Sequence, residues 1–326
     1  MNTVRGVSRI TPLRQVRRFH QTRPAPFINE ALEVSTSFVH GVHSISHLPW
    51  ALSLPLTAFL VRMGVALPLQ IFTKAQGRKD GELAPILQSW RHHYEQQAKR
   101  KKSSTGSPLL RSEAKRLVSE EVKQQHRVLR QRWGVYRFWK PASFLQMPVW
   151  IMIMESIRGM SGNDKGFLSY LRSLFDPSFS PAGNTPHLAV EPSLATEGAL
   201  WFPDLLAGDH TGLLPIVLGV SILANVGTGF KVPALKEIAD MPRLELVKNS
   251  SLFTIRTIIQ GLAVYVGYAS YSHEMPTALL LYWITSTNIA TLQSFLLQKY
   301  MFPTPSVKPW RQIYIGYVKG ERKSTA

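Results

Sequence analysis

LPWALSLPLTAFLVRMGVALPLQIF, residues 48–72, holds a single charge, Arg62, in the middle of an otherwise apolar run. About 20 mostly apolar residues in a helix cross the hydrocarbon of a bilayer, so this stretch reads as a membrane-spanning helix. Arg62 lies too deep to reach an interface by snorkelling. A charge there costs from about 2.5 to beyond 10 kcal/mol, depending on the reference state. It persists only where it faces protein interior or a water-filled cavity. The spans below carry no acid at matching depth. The charge is expected to be hydrated or held by Gln, Ser and Thr groups, the alternative being a structural pair with Glu155 of the second span.

Four further blocks extend the pattern. PASFLQMPVWIMIMESI opens a second span at roughly 141–159, bounded by Lys140 and Arg158. GLLPIVLGVSILANVGTGF (212–230), SLFTIRTIIQGLAVYVGYASY (251–271) and PTALLLYWITSTNIATLQSFLLQ (276–298) are the third, fourth and fifth. Arg158 and Arg256 sit near span ends and read as ordinary helix-end charges. Trp50, Trp201 and Trp283 are expected as membrane-interface aromatics.

The connections alternate in charge. Residues 74–140 hold seventeen Lys/Arg against six Asp/Glu, whereas 161–211 hold only Lys165 and Arg172 against six acids. The loop at 231–250 has Lys231, Lys236, Arg243 and Lys248, the turn before the fifth span has no Lys or Arg, and the tail after Gln298 is basic again. Basic connections mark the inside. The expectation is an all-α polytopic protein, with the N-terminus outside and the C-terminus inside.

Within the first basic loop, Leu83, Ile86, Leu87, Trp90 and Tyr94 recur at helical spacing, and so do Leu117, Val118, Val122, Leu129, Trp133 and Tyr136. With SSTGSP at 103–108 as the turn, they predict an amphipathic helical hairpin projecting inside.

The chain has 326 residues and a formal net charge of +18. In a soluble protein such a charge would suggest nucleic acid, but here the basic residues gather between apolar blocks, and no nucleic-acid partner is expected. Cysteine is absent, which excludes disulfides, thiolate metal sites and thiol catalysis. His43 and His47 share a helix face but find no third ligand, and read as surface residues. No phosphate-binding loop, nucleophile elbow or carboxylate cluster is found. No catalytic residue, metal or cofactor is expected, and no nucleotide hydrolysis.

MNTVRGVSRITPLRQVRRFHQTRPAPFIN carries six arginines and no acid before Glu30. That is the composition of a mitochondrial presequence, with a disordered basic segment as the alternative. The divisions are 1–28 for this segment, 29–73 for an outer segment and the first span, 74–140 for the hairpin, 141–298 for spans two to five with an outer loop at 161–211, and 299–326 for a short basic tail.

Other spans bring Gln146, Ser221, Asn225, Thr285, Ser286 and Asn288 to a depth similar to that of Arg62. Singly, such groups make helix–helix hydrogen bonds worth about 1 kcal/mol. Together with Arg62 they suggest a hydrophilic groove that lowers the cost of bringing a polar, acidic segment into the bilayer.

TAFLVRMGVALPLQIF, the basic hairpin, FLQMPVWIMIMESIR, ALWFPDLLAGDHTGLLPIVLG and ALLLYWITSTNIATLQSFLL, in this order, resemble the Oxa/YidC/Alb family of membrane-protein insertases, from about Leu48 to Gln298. The resemblance implies a five-helix core with a groove arginine at Arg62 and a hairpin that engages clients early. Clients would be hydrophobic membrane proteins sliding out into membrane lipid. Only 28 residues follow Gln298, interrupted by Pro303, Pro305 and Pro309, so a long coiled-coil tail for ribosome docking is not expected there. The short tail resembles the cytochrome-oxidase assembly branch of the family in the mitochondrial inner membrane. That implies export of the C-terminal part of cytochrome c oxidase subunit 2, with accessory assembly factors as an open partner class. The alternatives are a general co-translational insertase, a small-anion carrier using Arg62, or a passive assembly scaffold.

Overall fold

The computed structural model describes residues 26–100, 111–163, 190–229, 232 and 243–301. The basic leader at 1–25, the SSTGSP turn, the outer loop at 164–189, most of the loop at 231–242 and the tail from 302 lie outside the described residues.

Among the described residues the chain is helical and forms no strand, apart from isolated bridges at Ala199–Phe202 and Gly208–Pro276. It begins with α1 (Pro26–Ser46), a helix the apolar pattern does not announce. α1 packs on α7 (Gln146–Met160). Ser35 and Ser156 meet hydroxyl to hydroxyl there, and Ser156 also donates to the Leu32 carbonyl at 3.3 Å. α1 stops where His47 takes a left-handed φ of 51°, just before Pro49.

α2 (Trp50–Val61) runs through a π-helical segment, Arg62–Ala66, into α3 (Leu67–Glu82). The proline at 68 explains the wide turn. It has no N–H for the carbonyl of Gly64 and would crowd it in a regular helix. One extra residue in the turn relieves the clash, and the Leu67 N–H closes it on the Arg62 carbonyl. Such π-bulges recur at functional sites.

α4 (Ala84–Arg100) and α5 (Arg111–Arg132) pack on each other. They run antiparallel, because Arg130 near the end of α5 returns to Asp80 just before α4. Arg130 grips that carboxylate with two hydrogen bonds of 2.8 Å, and His126 Nε2 lies 3.2 Å from it. Leu83 and Val118 of the two apolar stripes are buried, but Trp133 and Tyr136 are exposed. The expected second stripe is too long at its end. α5 closes at Arg132, Gly134 turns the chain with a φ of 63°, and both aromatics fall past the helix.

After α6 (Trp139–Ala142) and a short 3-10 turn comes α7, and then α8 (Leu213–Gly229), α9 (Arg243–Ser272) and α10 (Thr277–Leu296). α10 packs against α2, α7 and α8, and the core gathers Leu54, Ala58, Ile157, Leu218, Leu279 and Tyr282. α9 touches the bundle mainly through α8, where a Cβ on Gly267 would lie 3.1 Å from the Pro215 carbonyl and 3.5 Å from the Cα of Gly219. Small residues that let helix backbones approach are a feature of packing in lipid. Most of the rest of α9, including Ile258, Leu262 and Tyr265, is exposed.

Among the described residues two helical stretches are long and apolar enough to cross a membrane, Trp50–Ala98 and Asn249–Ser272; Leu213–Gly229 is apolar but shorter. α7 and α10 have 15 and 20 residues and carry polar groups within their length, Gln146 and Ser156 on α7 and several Ser, Thr, Asn and Gln residues on α10.

Candidate functional site

The π segment places Arg62 against α10. Its guanidinium donates through Nε to the Ser286 hydroxyl at 2.8 Å. The side chain of Gln293, two turns further along α10, donates to the Arg62 backbone carbonyl at 3.0 Å. The neighbouring Met63 sulfur lies 3.6 Å from the same amide nitrogen. One helix thus holds both the charged head and the irregular backbone beneath it. Among the described residues no carboxylate pairs with Arg62. Glu155, the acid considered as its partner, lies 3.7 Å from Arg158 on its own helix.

Arg62 lines a cavity of about 360 Å³ between α2, α3, α7, α8 and α10. Gln70, Gln146, Asn225, Thr287 and Ser294 contribute polar groups, and Trp150, Trp283, Val65 and Met147 apolar ones. The side-chain carbonyl oxygens of Gln70 and Gln146 are buried without a hydrogen-bond partner. A cavity with a guanidinium and unpaired amide oxygens can accept acidic groups and peptide amides.

The residues expected in the groove divide into two groups. Arg62, Gln146 and Asn225 line the cavity, and Ser286 supports Arg62 from below. Ser221, Asn288 and Thr285 do not line it. Ser221 accepts a 3.1 Å bond from Asn288, and Asn225 donates to Thr291 at 2.9 Å, so these pairs stitch α8 to α10. Thr285 is turned away by about 100° per residue of helix, which brings Thr287 to the cavity instead. Gln70, Thr287 and Ser294 were not anticipated. They lie about two turns below Arg62 or one to three turns below Trp283, and a strict reading of helical spacing from those two residues would have found them.

Two of the aromatics also need correction. Trp50 does not sit at a lipid interface. It is 1% exposed, donates through its indole N–H to Ser193 at 2.7 Å, and receives the His43 ring in a stack of 3.9 Å. Its backbone N–H donates to Glu197 at 3.1 Å. The loop segment at 190–198 therefore folds over the start of α2, and His43 is a packing residue rather than a surface one. Trp283 faces the cavity, edge to face with Trp150 at 5.7 Å. Trp201 is exposed beside Phe202.

Just before its first residue, Asp209 caps α8. It accepts from the Leu214 amide at 2.7 Å, the Thr211 amide at 3.0 Å and the Thr211 hydroxyl at 2.6 Å. Burial pushes its pKa up, but these bonds outweigh burial and hold the carboxyl below its ordinary value.

No family model matches the chain. It is similar to the human protein named "Cytochrome c oxidase assembly protein COX18, mitochondrial", 24% identical over 296 residues, covering 88% of this chain and 79% of that one. Its counterpart in Schizosaccharomyces pombe is 24% identical over 260 residues, 79% of this chain and 96% of the relative. That in Saccharomyces cerevisiae is 24% identical over 309 residues, 86% and 90% of the two chains. Over most of its length the chain is thus similar to the COX18 proteins of human and of two yeasts, in agreement with its resemblance to the oxidase-assembly branch.

Proposed function

We propose that this protein is a mitochondrial inner-membrane insertase that serves cytochrome c oxidase assembly by moving polar, acidic client segments across the bilayer along the Arg62 cavity. The names of its relatives, which place them in mitochondria and in oxidase assembly, support the location and the pathway. The observation that carries the mechanism is Arg62 itself, lining a polar cavity with no carboxylate partner among the described residues.

In this reading α2, α7, α8, α9 and α10 are five spans, the hairpin of α4 and α5 faces the matrix with the C-terminus, and the loop around 190–211 faces the intermembrane space. The client is the C-terminal part of cytochrome c oxidase subunit 2. Its acidic segment rests transiently near Arg62, where the cavity replaces part of its hydration. The membrane potential favours outward movement of negative charge by about 2.3 kcal/mol per charge per 100 mV, and burial of the client's apolar helix in lipid supplies the rest. No nucleotide takes part.

A second reading has one observation behind it. The Ser286 and Gln293 contacts suit a structural role for Arg62 in a passive assembly scaffold. Protease accessibility of an acidic, membrane-tethered reporter domain in mitochondria separates the two. Export that falls in Arg62→Ala at unchanged protein level, and recovers in part in Arg62→Lys, supports translocation. Normal export at normal level removes Arg62 from the mechanism.

A further inference from the structure

We propose that Trp283, backed by Trp150, is a partition between two cavities that keeps ions from crossing the bundle. The inference rests on the bundle's lying in a membrane and not on the identity of any client. Beyond the Arg62 cavity lies a second one of about 760 Å³, near the α9–α10 turn and the end of α7. Arg158 and Glu274 bring charge to it, and His273, Ser161, Ser270 and Asn163 bring polar groups. The described residues that line the two cavities have one member in common, Trp283.

The stripes along two helices agree with this. On α7, Gln146 and Trp150 lie one turn apart, and Arg158 follows two turns beyond Trp150, about 80° round the helix from it. Gln146 and Trp150 line the first cavity and Arg158 the second. On α10, Trp283 is followed by Thr287, Ala290 and Ser294, all on the first cavity, whereas Pro276 at its start lines the second. Polar linings above and below are thus interrupted at one level, where the two indoles meet edge to face at 5.7 Å and 64°. Both rings pack against the buried core, which fixes them from behind. Hydrophobic constrictions of this kind stop ions by excluding water. A continuous polar path would instead dissipate the potential that acts on charged segments.

The chain has no cysteine, so Ala290→Cys in the first cavity and Ala269→Cys in the second each supply a sole thiol. The purified full chain is reconstituted in sealed phospholipid vesicles without client and exposed to a membrane-impermeant maleimide from one side. Later protease cleavage of the hairpin sorts molecules by orientation. Each cysteine should label from one side only, Ala290→Cys from the hairpin side and Ala269→Cys from the other. Adding Trp283→Ala should open Ala290→Cys to both sides and speed decay of a potassium diffusion potential, whereas Trp283→Phe should retain the sidedness. Trp150→Ala, which removes the ring behind Trp283 and leaves Trp283 itself in place, should act in the same direction and more weakly, and it decides the matter if Trp283→Ala does not assemble. Labelling from both sides in the parent, or unchanged sidedness and decay in an assembled alanine variant, overturns the partition. Loss of sidedness in Trp283→Ala, with no effect of Arg62→Ala on reporter export, would leave the partition standing and remove Arg62 from the export mechanism.

Discussion

Arg62 and Ser286 meet across the contact between α2 and α10, the guanidinium Nε donating to the hydroxyl at 2.8 Å. The bond holds the side chain by its inner nitrogen. Its terminal amino groups have no hydrogen-bond partner among the described residues, on a side chain that lines the cavity. Ser286 therefore sets where the charge is presented. Ser286→Ala should cost about 1 kcal/mol in stability, as interhelical bonds in membranes do. It should also reduce reporter export, though less than Arg62→Ala does. Ser286→Thr, which retains the hydroxyl, should restore most of the export. An alanine variant that lowers thermal stability and leaves export untouched would make Ser286 a packing residue alone.

Arg62 was legible in the sequence because one charge in a long apolar run has few explanations. The partners of that charge were harder to read. Polar residues in a span signal contact with another helix, but not which face they occupy, and Thr285, Ser286, Thr287 and Asn288 follow one another on α10. A rotation of about 100° per residue decides that Ser286 meets Arg62, Thr287 the cavity, and Asn288 the α8 residue Ser221. The π segment was hidden for a different reason. It depends on Pro68 coming after an already formed helix, and proline elsewhere in the same run, at position 55, sits inside regular α-helix. Interface tryptophans and buried tryptophans look alike in sequence, and Trp50 is of the buried kind. What distinguishes it is the distant pair Ser193 and Glu197, which the fold brings to its N–H groups.

Close approach of α8 and α9 should make Gly267 intolerant of bulk. A Cβ there would lie 3.1 Å from the Pro215 carbonyl, which belongs to backbone and cannot rotate away. Gly267→Ala should be felt mildly, because a shift of a few tenths of an ångström accommodates it. Gly267→Leu should force the helices apart at about 1–3 kcal/mol, the usual range for overpacking. Thermal unfolding in detergent, followed by protease resistance of α9, would measure both. Equal stability of the leucine variant would mean that α9 does not dock on α8 in this way.

Asp209 gives a pH dependence with a definite sign. Its carboxyl is held below its ordinary value because the bonds from Thr211 and Leu214 outweigh the opposing effect of burial. A group with a depressed folded pKa contributes stability above its unfolded value and loses it as pH falls through the folded one. With an unfolded value near about 4, the contribution is constant from about pH 8 to about pH 5 and fades only in stronger acid. Asp209→Asn, which retains one acceptor, should therefore be less stable by about 1 kcal/mol at neutral pH, the usual scale of a lost cap. The gap between the two proteins should close below about pH 4. Melting curves across that range test the claim, and a gap that widens in acid contradicts it.

The hairpin is held at its root by Asp80. Arg130 approaches with two bonds of 2.8 Å, one to each oxygen. Beside this clasp, the Tyr136 amide donates to Gln76 at 3.2 Å, and a Cβ on Gly77 would lie 3.1 Å from the Trp139 ring. α3 thus continues the first long helix into the base of the hairpin, so the hairpin's direction is tied to the helix that carries Arg62. Two-pronged bonds between charged groups are worth about 1.5–3 kcal/mol each when partly shielded, and Asp80 and Arg130 are shielded, at 14% and 23% side-chain exposure. Asp80→Arg alone sets two guanidiniums against each other and should expose the hairpin to protease, and Arg130→Asp alone should do the same with two carboxylates. The double exchange should recover part of the protection. Recovery stays incomplete because His126, now 3.2 Å from Asp80, would face a cation instead of a carboxylate. Cleavage rates of the four proteins form a double-mutant cycle. If the two single effects simply add, the clasp does not orient the hairpin, and its direction must come from the packing of Trp139 on α3.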